Sequence, residues 1–340
     1  MKPLPPLTPR SAAAGPAGPE AAEALLRRLE WTVLRRLDGL LQGDWHTLWR
    51  GAGLDLAGLR EYEPGDDVRH IDWNVTARLP QPYVRQYHED RELEAWFLLD
   101  VSGSVDFGSD GSTKLALARG FVAALARVLT RQGNCVGALC YGRQVEPPLP
   151  PRATRGQVLA LLQRMAAVAD DAARTPAPGG TALAAVLQAA ERLLRRRSLV
   201  FVVSDFISQP GWPPVLARLA ARHDLVAVRL WDALEMALPD EAGLGLGLLT
   251  VQDAETGEQC LIDAGDPGLR QRYAALAQAQ EAALRDDLAR SGADVLELAT
   301  GDDLLEALLR FADLRRQRER RPPGRHFPRD LQRAEPGAAA

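Results

Sequence analysis

A chain of 340 residues, 46% apolar and 25% charged, can bury a substantial core and has an ordinary globular balance. Its 41 Lys and Arg stand against 45 Asp and Glu, a net charge of −4, which excludes bulk electrostatic attraction to nucleic acid as a means of binding. No run approaches the roughly 20 consecutive apolar residues that cross a bilayer, and MKPLPPLTPRSAAAGPAGPE lacks the apolar stretch of a secretory signal.

Residues 1–19 are rich in Pro, Ala and Gly and are expected to form a disordered lead. Residues 20–93 hold a helix followed by a charged segment: Leu25, Leu29, Val33, Leu37 and Leu40 recur at helical spacing and predict a helix over 21–41. From 94 to 314 strands and helices alternate. Residues 95–100 read as a buried strand, and 114–130 as a helix with Gly133 just past its end. Strands at 135–141, 198–204, 225–231 and 294–298 are nearly continuous apolar runs. Helices are expected at 154–167, 182–196, 268–291 and 302–314, and 248–253 with 259–263 resembles a hairpin. Such strands separated by amphipathic helices predict an α/β, doubly wound, mostly parallel sheet covered on both faces. The tail, 315–340, contains RRQRERRPPGR and reads as a flexible basic end.

Cys135 and Cys140 fall in one predicted strand, five positions apart, so they point to opposite faces about 16 Å apart and cannot bridge. With Cys260 they form no CxxC pair or Cys/His cluster, so a zinc site is not expected. Free thiols without an export signal point to a reducing, cytoplasmic setting.

Ligands of a doubly wound sheet collect beyond the carboxyl ends of the strands. The first strand of this sheet ends in FLLDVSGSVDFG, where an apolar run stops on Asp100 and hydroxyls follow at alternate positions, Ser102 and Ser104. The strand at 198–204 ends on Asp205, and between them Gly179-Gly180-Thr181 sets Thr181 at a helix start. The five groups are all oxygen, which suits a hard cation: Mg²⁺ first, with Mn²⁺ and Ca²⁺ as the other candidates. Three of them are neutral hydroxyls, so a cation there keeps much of its charge and an open position for a carboxylate from outside.

Any one of these residues alone could be a helix N-cap. An aspartate-nucleophile phosphotransferase would carry a second acid where Ser102 stands, neither serine has the flanking glycines of a hydrolase elbow, and there is no P-loop. The expectation is therefore a binding site rather than an enzyme, with a metal-assisted hydrolase on the same rim as the alternative.

Asp100, Ser102, Ser104, Thr181 and Asp205, in this order on these elements, resemble the metal-ion-dependent adhesion site of the von Willebrand factor A fold. The resemblance implies that the two serines and the threonine reach the metal, while the acids hold it directly or through water, in a domain spanning 94–314.

The segment REYEPGDDVRHIDWNVTARLPQPYVRQYHEDRELE, residues 60–94, carries five arginines against nine acids, which opposes nucleic-acid binding. Asp66 or Asp67 could cap a short helix running towards Ala77. Tyr62, Ile71, Trp73, Val84 and Tyr87 are expected to pack against the domain, with arginines pairing acids. Arg60, Glu61, Tyr62, Pro64, Gly65, Asp66, Asp67, Arg69, Ile71, Asp72, Trp73, Asn74, Ala77 and Arg78 resemble the signature of domain-of-unknown-function family 58, from which Val105 departs where methionine is common. That resemblance implies an adaptor working beside a MoxR-type AAA+ ATPase on a client protein; some relatives carry membrane helices, whereas this sequence shows no such run and is expected to be soluble.

Overall fold

The computed structural model describes residues 19–29, 56–62, 73–76, 81–87, 94–109, 112–174, 183–237, 248–252, 259–263 and 265–319. Helix α1 (Pro19–Leu29) precedes strands β1 (Leu56–Glu61) and β2 (Tyr83–Tyr87), with one helical turn at Trp73–Thr76 between them. The main domain then runs β3 (Glu94–Asp100), α2 (Lys114–Arg131), β4 (Cys135–Tyr141), β5 (Leu149–Arg152), α3 (Arg155–Arg174), α4 (Leu183–Leu193) and β6 (Leu199–Ser204). It continues α5 (Trp212–Arg222), β7 (Asp224–Trp231), β8 (Leu248–Gln252), β9 (Gln259–Asp263), α6 (Pro267–Ser291), β10 (Asp294–Ala299) and α7 (Leu304–Glu319). None of the described helices is long and apolar enough to cross a membrane.

Six strands form one sheet in the order β10-β7-β6-β3-β4-β5, parallel except for the edge strand β5. The expected doubly wound, mostly parallel architecture is the one observed. Alternation along each central strand supplies both faces. Ala95, Phe97 and Leu99 of β3 join Leu199, Phe201 and Val203 of β6 beneath α1, α2, α3 and α7. Trp96 and Leu98 join Val200 and Val202 beneath α4, α5 and α6. Phe201 is the hub of the first core, stacked on Phe97 at 5.1 Å and edge-on to Phe121 at 6.1 Å. On the second face Trp96 lies across β4, where a Cβ at Gly137 would sit 2.9 Å from the Trp96 ring, so only glycine fits there.

One buried ionic cluster interrupts the second face. Arg229 of β7 donates to Glu297 of β10 at 2.9 Å and through both terminal nitrogens to Glu281 of α6, which ties the long helix to the sheet edge. Glu281 also pairs with Arg285 one turn on.

Several expectations change. The helix predicted over 182–196 ends at Leu193, so Arg195–Arg197 lie beyond it. The helix predicted to stop at 167 continues to Arg174. Strand β5, Leu149–Arg152, was not anticipated; its two consecutive prolines are tolerated at a sheet edge where the pairing with β4 is irregular between Val136 and Ala138. Helix α5 was not anticipated. Residues 248–252 and 259–263 do pair as a hairpin. The charged segment includes an antiparallel pair, β1 with β2, and Trp73 within it is 69% exposed rather than packed. The remainder of the predicted helix over 21–41, the proposed caps Asp66 and Asp67, and Ile71 lie outside the described residues.

Phe201→Ala should remove the shared contact of β6, β3 and α2 and lower unfolding free energy by about 3–5 kcal/mol. Urea denaturation should show the midpoint falling with the slope unchanged.

Candidate functional site

The parallel register pairs Leu99 of β3 with Val203 of β6, so Asp100 and Ser204 end their strands side by side. The chain passes from β3 outward to β4 on one side and returns to β6 on the other. The crevice between β3 and β6 is therefore the switch point where a doubly wound sheet opens at its carboxyl edge.

Asp100 is buried, and both of its oxygens accept. Oδ1 receives the Ser102 hydroxyl at 2.6 Å and the Ser102 amide at 3.1 Å, and Oδ2 receives the Ser204 hydroxyl at 2.7 Å. After Asp100 the chain makes a single 3₁₀ turn, Gly103–Val105, which brings Ser104 Oγ to 3.2 Å from Ser102 Oγ. Ser102 stands at the cap position of that turn but makes no side-chain capping bond, so it serves the carboxylate instead of the backbone. Ser104 is half-buried and forms the open side of the rim.

Asp205 is also buried. Its Oδ1 accepts the Ile207 amide at 3.0 Å and its Oδ2 accepts Nζ of Lys114 at 2.8 Å. Ser204 ties Asp100 to the backbone that follows Asp205, donating to Asp100 and accepting the Phe206 amide at 2.9 Å. Phe206 holds a left-handed backbone, φ 59°, a costly conformation for a bulky residue. That reversal folds Oδ1 of Asp205 back towards the following amide and turns the Phe206 ring inward onto Trp212, 5.2 Å away.

Lys114 opens α2 and is fully buried. It also donates to Glu235. Burial alone would lower its pKa, but the Asp205 and Glu235 carboxylates outweigh burial and hold it above its ordinary value. Glu235 is placed by a capping box after β7: its Oε2 accepts the Asp232 amide at 3.1 Å while Asp232 Oδ1 accepts the Leu234 amide at 2.9 Å. The other oxygen of Asp232 gathers Ser109 N and Oγ, each at 2.9 Å, and Thr300 Oγ1 at 2.6 Å. Burial opposes the charge of Asp232, yet the Thr300, Leu234 and Ser109 donors hold it below the usual carboxylate range. The loop carrying the serines is thus pinned to the ends of β7 and β10.

Asp100 behaves differently. Burial, then the nearby charge of Asp205, push its carboxyl up to about 7, against the Ser102 and Ser204 donors. No lysine or arginine reaches it among the described hydrogen bonds and ion pairs, since Lys114 is occupied on the far side of Asp205.

Four of the five sequence-derived residues, Asp100, Ser102, Ser104 and Asp205, are brought onto one rim. Thr181 lies outside the described residues. Helix α4 begins two positions later, where the Leu183 amide donates to Ser208 Oγ at 2.8 Å and fastens the helix start to the loop after β6. Sequence reading missed Lys114, Ser204, Asp232 and Glu235. The signal for Ser204 is its place at the last position of its strand. Lys114 carries none, being one charged residue at the head of an amphipathic helix.

The donors on the rim are all oxygen, the chemistry a hard cation takes; the two serine oxygens stand 3.2 Å apart and Ser102 Oγ stands 2.6 Å from Asp100 Oδ1. The Ser102 hydroxyl gives its proton to Asp100 and so keeps its lone pairs for another partner. No group of three or more His, Cys, Asp or Glu side chains suited to a metal gathers among the described residues, so a metal on this rim depends on hydroxyl ligands.

The sheet order and its flanking helices define a doubly wound, mostly parallel α/β domain. The chain belongs to the family described as "Protein of unknown function DUF58", whose model matches residues 58–283. An uncharacterized protein of Mycobacterium tuberculosis is 37% identical over 296 residues, 86% of this chain and 90% of that one. An uncharacterized protein of Mycobacterium avium is 32% identical over 171 residues, 50% of this chain and 94% of its own length. Among solved structures, the chain is similar to the conserved hypothetical protein BatB from Bacteroides thetaiotaomicron, at 14% identity and a TM-score of 0.38, covering 66% of this chain and 99% of that one. It is also similar to a von Willebrand factor type A protein from Catenulispora acidiphila, at 14% identity and a TM-score of 0.33, covering 67% of this chain and 42% of that one.

Lys114→Met in metal-free buffer should lower unfolding free energy by about 3–5 kcal/mol, because it leaves Asp205 and Glu235 buried without their cation. The double variant Lys114→Met with Asp205→Asn should recover part of that loss in the same denaturation experiment.

Proposed function

We propose that this chain is a metal-ion-dependent protein-binding adaptor and not an enzyme. The observation that carries the reading is the convergence of Asp100, Ser102, Ser104 and Asp205 on one rim at the switch point of the sheet. Asp100, Ser102 and Ser104 would hold Mg²⁺, with Mn²⁺ or Ca²⁺ as substitutes. Asp205 would act from behind, through water, and Thr181 would complete the set as the adhesion-site pattern implies. A bound ion would supply an electropositive centre with a vacancy for one carboxylate oxygen from a partner.

The protein's own residues tune that vacancy. Lys114 already offsets part of the charge of Asp205. A divalent cation therefore meets less than two full negative charges, and an external carboxylate completes the balance. Ser102 and Ser104 contribute oxygens without charge and push in the same direction. No histidine serves the rim hydroxyls among the described residues: His223, the only histidine among them, lies at the start of β7, the opposite end of the sheet.

Membership of the family supports the wider role. As the signature at residues 60–78 implies, the adaptor works in the cytoplasm with a MoxR-type AAA+ ATPase and presents or holds a client protein that offers an Asp or Glu.

Isothermal calorimetry should give a single Mg²⁺ site that Asp100→Ala removes and Ser104→Ala weakens, with both variants keeping the native circular dichroism. Affinity capture of the ATPase or client should be lost in EDTA and in Asp100→Ala. Absence of heat with both Mg²⁺ and Mn²⁺, or capture unchanged by EDTA, would overturn the reading. Phosphatase or nuclease turnover abolished by Asp205→Asn would favour a metal-assisted hydrolase instead.

A further inference from the structure

The end of the sheet away from the rim carries charge opposite in sign to the chain as a whole. Residues 191–197 lead from α4 to β6, and 218–224 lead from α5 into β7. Together they hold six arginines, Arg192, Arg195, Arg196, Arg197, Arg218 and Arg222, against two acids, Glu191 and Asp224, in a chain of net charge −4. Hydrogen bonds fix the two turns side by side. The Ser198 amide donates to His223 Nδ1 at 3.3 Å, and the Asp224 amide donates to the Ser198 carbonyl at 3.0 Å.

Little of this charge is spent inside the protein. Arg218 closes on Glu191 through two nitrogens, at 2.8 and 3.0 Å. Arg192, Arg195, Arg196, Arg197 and Arg222 are exposed, and none of them has an ion-pair partner among the described residues. Their fields overlap. Burial, then Arg222 and Arg197, hold His223 below its ordinary pKa, and Arg218, with Arg222 and Arg192 beyond it, holds Glu191 below the usual carboxylate range. A helix dipole favours cations within its last turn. Helix α4 ends at Leu193, so its dipole does not account for three consecutive arginines past that point. Helix α7 leads to the same end: four residues separate it from β10, so it turns back along the sheet away from the rim. Residues 315–325, which begin in its last turns, read RRQRERRPPGR, six arginines against one glutamate.

We infer that this arginine-rich pole docks the protein on an anionic lipid surface, which leaves the Asp100 rim at the opposite end facing away from the membrane. Consecutive residues of an open turn cannot all converge on one small anion, so the charge suits a field of many phosphates rather than a pocket for one. Leu193, 37% exposed, stands among the arginines. An aliphatic side chain beside arginine stems matches the boundary between headgroups and acyl chains. Nucleic-acid surfaces interleave arginine with rings on which bases stack. Neither turn contains Phe, Tyr or Trp, and His223 is buried. The inference uses no residue of the rim and stands whether or not a metal binds there.

The test floats the full chain with vesicles of phosphatidylcholine, alone or with about one-third phosphatidylglycerol. Binding should be about ten-fold or more stronger on the anionic vesicles, should fall as salt is added, and should not change in EDTA. The double variant Arg195→Gln with Arg197→Gln should lose about ten-fold in affinity. Arg143→Gln with Arg272→Gln, the same charge removed from exposed positions at the rim end, should bind as the parent does. Leu193→Ser should weaken binding about three-fold or more without altering its salt dependence. Equal binding to neutral and anionic vesicles, no binding to either, or full binding by the Arg195–Arg197 double variant overturns the inference. So does loss of vesicle binding in EDTA, which would move the contact to the rim. Binding of duplex DNA or polyglutamate in place of vesicles would assign the pole to a nucleic acid or an acidic protein and overturn it as well.

Discussion

Burying two carboxylates on neighbouring strand ends costs several kcal/mol per charge unless each is paired, and the top of this domain is organised around that cost. Asp205 is paired with a fully buried lysine. Asp100 is given three hydrogen bonds and, among the described residues, no cationic side chain. The asymmetry gives the rim its character. One acid is paired within the chain, and the other is held by hydroxyl and amide donors, its carboxyl pushed up to about 7 by burial and the neighbouring Asp205.

The surrounding structure serves this division. Lys114 can reach Asp205 only because α2 starts directly after the serine loop. Its second partner, Glu235, is oriented by a capping box whose other member, Asp232, also anchors the serine loop through Ser109. The site is therefore assembled from the ends of β3, β6, β7 and β10 together, and its geometry depends on the sheet's register. The strained turn at Phe206 belongs to the same construction. It aligns Asp205, buries one apolar residue and exposes the next.

Much of the fold was legible because a strand buried on both faces is a continuous apolar run. Phe97-Leu98-Leu99 and Val200-Phe201-Val202 show this directly, and the helices between them carry one apolar stripe. What escaped was structure with weak periodicity or contrary chemistry: the proline-bearing edge strand Leu149–Arg152, the helix Trp212–Arg222 with prolines in its first turn, and Arg229 inside an otherwise apolar strand. Each is stabilised by neighbours distant in sequence. For the edge strand, the Gln157 amide bridges the carbonyls of Val136 and Pro150, both at 2.8 Å.

The amino-acid sequence by itself determined the alternating α/β order, the placement of Asp100, Ser102, Ser104 and Asp205 at strand ends, and their all-oxygen chemistry. These follow from local periodicity and residue type. Only the tertiary structure decided that β3 and β6 are neighbours in a register that sets Ser204 against Asp100. It alone brought Lys114, Glu235 and Asp232 to the same rim. Those are contacts across scores of residues. They are selected by the packing of the sheet and by the need to compensate buried charge, and no local pattern encodes either.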